Sequence, residues 1–197
     1  MNYLIYIMIS VDTYLHNLGY SGCHSIMTKT YGNQYYKTAI KPVLGIIYDH
    51  ITIRAFTRIA PDFGGIIVDK IIKQQNIGSM AEEIANINNR GLRYINLQPD
   101  QIMLLLKYNI DNLRDILTPV IEFFSCMEKD VVVQNSKFKG IIDFMDDSTI
   151  YEVKCGHKYD FTDTAWVQLI TYKSILNEPK TLRIFNACSG FIYELNL

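Results

Sequence analysis

Lys139-Gly140-Ile141-Ile142-Asp143-Phe144-Met145, then Asp146-Asp147-Ser148, then Thr149-Ile150-Tyr151-Glu152-Val153-Lys154-Cys155: this stretch decides how the chain is read. Two strand-like runs flank a cluster with turn chemistry, which predicts a β-hairpin. Side chains alternate along each strand, and directly opposed residues share a face. If the connection is even, either Asp146-Asp147 or Asp146 to Thr149, then Asp143, Glu152 and Lys154 point to one side. The other side then carries Ile142, Phe144, Tyr151, Val153 and Cys155, an apolar face suited to a helix layer. An odd connection would split the charged trio unless a bulge restored it, so the chemistry depends on register.

Working outward, Thr164 to Leu176 reads as a helix, with Thr162 or Asp163 as N-cap and Asn177 and Pro179 at its end. Thr181 to Ala187 reads as a strand, and Gly190 turns the chain into a last one, Phe191 to Leu195. Upstream, Val131-Val132-Val133 reads as a strand. Leu113, Ile116, Leu117, Val120, Ile121 and Phe124 form a helical stripe that Pro119 should kink or split. Pro99 suits the first turn of a separate helix near 99–108. Gly78-Ser79 precedes a helix over about 80–89, and Pro61 to Gly65 is a turn. The order helix, three strands, helix, two strands predicts an α/β layer sandwich. Residues 1–60 are harder to read and are expected to pack on a core formed by 61–197. Within them Gly19, Gly22 and Gly32 mark turns. His50 to Phe56 alternates and is β-branched, which predicts a strand.

Composition narrows the classes. The chain has 197 residues, 49% hydrophobic and 20% charged, enough for a packed core rather than a disordered chain. Its formal net charge is -1, so bulk charge does not announce a strongly basic nucleic-acid binder. The longest apolar run, Tyr3 to Ile9, falls far short of the about 20 residues that span a membrane. It also lacks the flanks of a signal peptide, so an intracellular location is expected. Cys23, Cys126, Cys155 and Cys188 form no CxxC pair, and the histidines form no HExxH. No GxxxxGK[ST] is present.

Two carboxylates on adjacent strands lie about 5–8 Å apart at Cβ. Buried without a cation they would repel. Magnesium fits, since it takes hard oxygen ligands and keeps waters and phosphate oxygens as partners. Lys154 would lie beside the ion, able to orient or deprotonate a water and to stabilise charge on an attacked phosphate. That is a phosphodiester-hydrolysis site in outline. The plain alternative is a hairpin with one solvated charged face. Gln168 and Tyr172, four residues apart, share a helix face; there Gln168 could be solvated and Tyr172 could be core. Ser79-x2-Glu82 is also a capping box.

Gly78-x3-Glu82-x2-Ala85, Asp143, Glu152-Val153-Lys154 and Gln168-x3-Tyr172 follow one another in that order over about 75–197. With them the chain resembles the PD-(D/E)XK nuclease superfamily. The likeness is greatest to the branch holding the RecB nuclease domain, lambda exonuclease and YqaJ-type viral recombinases. The resemblance implies a restriction-endonuclease-like core, a central mixed sheet flanked by helices. It implies a magnesium-dependent DNA nuclease, with manganese able to substitute, acting as an exonuclease in recombination, repair or replication. Asp143, Glu152 and the Val153 carbonyl would hold metal, and Lys154 would be the catalytic lysine. Glu82 would help hold metal or water unless it is only a cap, with Glu83 behind it. Gln168 and Tyr172 would line the DNA side, with Lys137, Lys139, Lys158 and Lys173 offering phosphate contacts. DNA is the expected partner, alongside an oligomeric, helicase or annealing partner, and no membrane. The alternative is a catalytically inactive nucleic-acid-binding or assembly module on the same fold.

Overall fold

Asp146 sets the hairpin. Its carboxylate accepts the backbone N–H groups of Ser148 at 2.7 Å and Thr149 at 2.8 Å, and its own N–H donates to the Thr149 carbonyl at 3.1 Å. The connection therefore runs from Asp146 to Thr149, closing with Met145 opposite Ile150 and Phe144 opposite Tyr151. This is the even register on which the charged trio depends.

The computed structural model describes residues 8–32, 39–61, 63–76, 99–156 and 163–196. In chain order the elements are β1 (Ile9–Ser10), α1 (Val11–Tyr31), β2 (Ile40–Gly45), α2 (His50–Ile59), α3 (Gly64–Ile72) and α4 (Pro99–Phe124). Then follow β3 (Glu128–Gln134), β4 (Phe138–Met145), β5 (Thr149–Lys154), α5 (Asp163–Leu176), β6 (Thr181–Asn186) and β7 (Phe191–Leu195). The protein is α/β, with a mixed seven-stranded sheet ordered β1-β4-β5-β6-β7-β2 and β3 also paired to β4. β5 and β6 run parallel, joined through α5, and β1 lies parallel to β4; the other pairs are antiparallel.

Helices cover both faces. Leu15, Cys23 and Met27 of α1 and Trp166, Leu169 and Tyr172 of α5 pack with Ile150, Leu182 and Ile184 on one side. Ile53, Ile67, Val68, Leu117 and Phe124 from α2, α3 and α4 pack with Phe144, Tyr151 and Phe185 on the other. The N-terminal part belongs to this same layered structure. β1 pairs with β4, and β2 extends the sheet beyond β7. No helix among the described residues is long and apolar enough to cross a membrane.

Several local expectations give way. His50–Ile59 is a helix rather than a strand: the Asp49 side chain caps it by accepting the Thr52 N–H at 3.2 Å, and Ile53, Phe56 and Ala60 are buried at helical spacing. α4 runs unbroken through Pro119. That residue is exposed, so water can satisfy the carbonyl left without its N–H donor. Ile142 does not share a layer with Phe144, but packs on the α1/α5 side. β3 pairs Val131 with Ile142 and Lys129 with Phe144, and Asp130 between them has φ 53°. The β3–β4 ribbon rolls over at Asp130 and Asp143. Gly19 breaks α1 and Gly32 ends it, whereas Gly22 lies inside the helix, and Gly64-Gly65 open α3 rather than finish a turn. The helix expected over about 80–89 lies outside the described residues.

Candidate functional site

β4 and β5 part company after the Phe144–Tyr151 pair, and the site is built in the cleft between them. There the Val153 N–H donates to Asp143 Oδ2 at 2.8 Å, a side chain replacing the lost ladder partner. In an extended strand the N–H and C=O of one residue point to the same neighbour, so the Val153 carbonyl faces the same cleft. The other oxygen of Asp143, Oδ1, accepts from Lys73 Nζ at 2.6 Å.

Glu152 and Lys154 alternate onto the α5 side of β5. Lys154 Nζ lies 2.6 Å from Glu152 Oε1 and 3.3 Å from Gln168 Oε1. The Gln168 amide in turn donates to the Tyr172 hydroxyl at 2.9 Å. The four-residue spacing puts Gln168 and Tyr172 on one face of α5, as expected from sequence. Both are buried, 9% and 1% exposed, with Gln168 touching Lys154 directly and Tyr172 through Gln168. Gly140 makes room for this: a Cβ there would sit 2.3 Å from Tyr172 Cε1.

The electrostatics are those of crowded carboxylates. Burial, and then the neighbouring Asp143 charge, push Glu152 up to about 8 against the opposing pull of Lys154. Its second oxygen, Oε2, is buried without a hydrogen-bond partner. Burial opposes the charge on Lys154, but Glu152 and Asp143 outweigh it and raise its pKa. Lys154 is therefore an ammonium at neutral pH.

Sequence reasoning missed a second cluster beside the first. Lys73, just past α3 and with its side chain only 5% exposed, reaches Asp143 at 2.6 Å, Asp130 at 2.9 Å and Asp69 at 3.1 Å. Burial works against its charge, yet Asp143 and Asp69 raise its pKa. Burial first, then Asp143, pushes Asp69 up to about 7. The only sequence signal was Asp69-x3-Lys73, an i,i+4 pair. Asp130 arrives through the left-handed twist in β3, which no local pattern announces.

Glu82, its neighbour Glu83 and Lys158 lie outside the described residues. Lys173 is half-buried on α5 and stands outside the hydrogen-bonded chain, and Lys137 and Lys139 are exposed around the start of β4. Among the described residues no three His, Cys, Asp or Glu side chains are grouped so as to hold a metal. The donors around the cleft still suit a hard cation. Asp143, Glu152 and the Val153 carbonyl are all oxygen ligands, and Glu152 Oε2 is an orphaned buried acceptor. Asp143 is instead neutralised by Lys73.

The sequence matches no protein-family model and no curated protein. What can be said of its chemistry rests on the arrangement of these side chains. Two carboxyl groups, Asp143 and Glu152, approach one another across a splayed strand pair, an ammonium sits beside Glu152, and a second ammonium bridges Asp143 to Asp69 and Asp130. Were Lys73 displaced from Asp143, such a group would present hard oxygen donors to a divalent cation.

Proposed function

We propose that the chain is a magnesium-dependent DNA nuclease of restriction-endonuclease-like architecture. It would hydrolyse phosphodiester bonds, as an exonuclease, in recombination, repair or replication. The observation that supports this reading most is Glu152 Oε2, a buried acceptor with no donor, on the carboxylate whose other oxygen is bonded to Lys154. An unpartnered buried acceptor is costly, and a cation beside it removes that cost. Asp143, Glu152 and the Val153 carbonyl would hold the ion. When bound, magnesium supplies a water of lowered pKa and neutralises phosphate charge. Lys154, held as an ammonium by Glu152 and Gln168, donates to a phosphate oxygen or orients a water; it does not act as the base. Gln168 and Tyr172 are positioning residues that fix where the ammonium points.

The second reading, an inactive nucleic-acid-binding or assembly module, is favoured by one observation: Lys73 already satisfies Asp143 together with Asp69 and Asp130. Incubating 5′-labelled linear DNA with the protein and magnesium, then with Lys154→Ala, separates the two. Magnesium-dependent cleavage lost in the variant is the expected result. Equal cleavage by both proteins, or DNA binding without turnover, overturns the nuclease reading.

A further inference from the structure

Cys155 and Cys188 are far apart in sequence but meet at the ends of adjacent parallel strands. The register pairs Lys154 with Asn186, and the Ala187 N–H donates to the Lys154 carbonyl at 2.8 Å. Asn186 Oδ1 then accepts from both the Gly156 N–H at 3.2 Å and the Cys188 N–H at 3.0 Å. One side-chain oxygen thus clamps together the two backbone turns that carry the cysteines. Both thiols face the corner between α2 and α3. Thr57 Oγ1 lies 3.3 Å from Cys188 Sγ. A Cβ on Gly65 would lie 3.5 Å from the Cys155 Cβ, and Gly64 packs on Thr57. Both cysteines are free thiols, and each perturbs the other's ionisation.

We propose that Cys155 and Cys188 form a reversible disulfide when the protein meets a hydroperoxide. The bond would tie the residue after Lys154 to the turn between β6 and β7. It uses neither the metal nor the nuclease reading, so its test stands apart from theirs.

The chemistry balances as follows. Cys188 sulfur attacks one peroxide oxygen, the O–O bond breaks, and the thiol proton leaves with the departing oxygen as water. Cys188 is then a sulfenic acid. Cys155 sulfur attacks that sulfur, the S–O bond breaks, and the hydroxyl departs with the Cys155 proton as a second water. Two thiols are oxidised and one peroxide is reduced. The neighbourhood favours Cys188 as the first nucleophile: Cys155, then the Thr57 hydroxyl 3.3 Å away, Arg54 and Arg58, act against burial to bring its thiol down to about 7. Cys155, half-buried, is the resolving partner.

The test uses the full chain carrying Cys126→Ser, which removes the exposed thiol that could link two molecules. The protein is treated with graded hydrogen peroxide, its remaining thiols are alkylated, and intact mass and linked peptides are read. The expected result is loss of two hydrogen atoms per chain, a peptide joining residues 155 and 188, and reversal by dithiothreitol. With Cys155→Ser added, a dimedone adduct is expected at Cys188. Both thiols alkylated after peroxide, or oxidation of Cys188 to the sulfinic acid with no linked peptide, overturns the proposal.

Discussion

Gly140→Ala isolates the packing that holds the site together. The new Cβ would sit 2.3 Å from Tyr172 Cε1 and 3.2 Å from its Cδ1 and Cζ, where ordinary contact begins near 3.4 Å. The closest approach is thus about 1.1 Å too short. Neither partner can give way easily. Gly140 is held in register against Val133, and Tyr172 is 1% exposed with its hydroxyl tied to Gln168. Overpacking of a well-filled core costs about 1–3 kcal/mol, and this contact belongs at the upper end. For a chain of this size about 3 kcal/mol lowers the melting temperature by roughly 6–12 °C. Urea and thermal unfolding followed by circular dichroism read both numbers. In a Tyr172→Leu background the ring is gone, so the same substitution should cost about 1 kcal/mol or less, a coupling typical of residues in contact. Gly140→Ala melting with the wild type, or costing as much without the ring as with it, would refute this packing.

Four further outcomes follow from the same geometry. Glu152 and Asp69 are raised to about 8 and about 7, so between their ordinary values and these the folded state binds more protons than the unfolded chain. Stability of the metal-free protein should therefore fall as pH rises through that window, by at most about 1.4 kcal/mol per unit for each group, read by urea unfolding at several pH values. Lys73→Ala strips the counter-ion from Asp69, Asp130 and Asp143 and should destabilise by about 3–5 kcal/mol. Added magnesium should raise the melting temperature of that variant more than that of the wild type, since the ion would replace the lost ammonium. Glu152→Gln should abolish manganese binding measured by calorimetry while the circular dichroism spectrum stays native.

Much of the C-terminal half was legible because its signals are local. Asp146 announces the hairpin through its own hydrogen bonds, Asn177 and Gly190 end their elements at positive φ, and the strands from β4 to β7 show their alternation. The N-terminal half resisted for physical reasons. α1 is broken at Gly19, which interrupts its periodicity, and α2 contains a β-branched run whose helical state is settled by the Asp49 cap and by burial against α3 and the sheet. In the site, Asp143, Glu152, Lys154, Gln168 and Tyr172 could be named because a hairpin and one helix bring them together. The sequence left the register of the hairpin open between even and odd connections, and the Asp146 hydrogen bonds decide it; the roll of the β3–β4 ribbon that carries Ile142 to the opposite layer was not legible either. Asp69, Lys73 and Asp130 come from separate elements, and only tertiary packing joins them to Asp143.

Soaking crystals with manganese and mapping its anomalous scattering puts the central idea to the most direct trial. The account predicts a peak bound by Asp143, Glu152 and the Val153 carbonyl, with Lys73 drawn back from Asp143. A map without a peak there, with Lys73 still seated on that aspartate at saturating manganese, would contradict it.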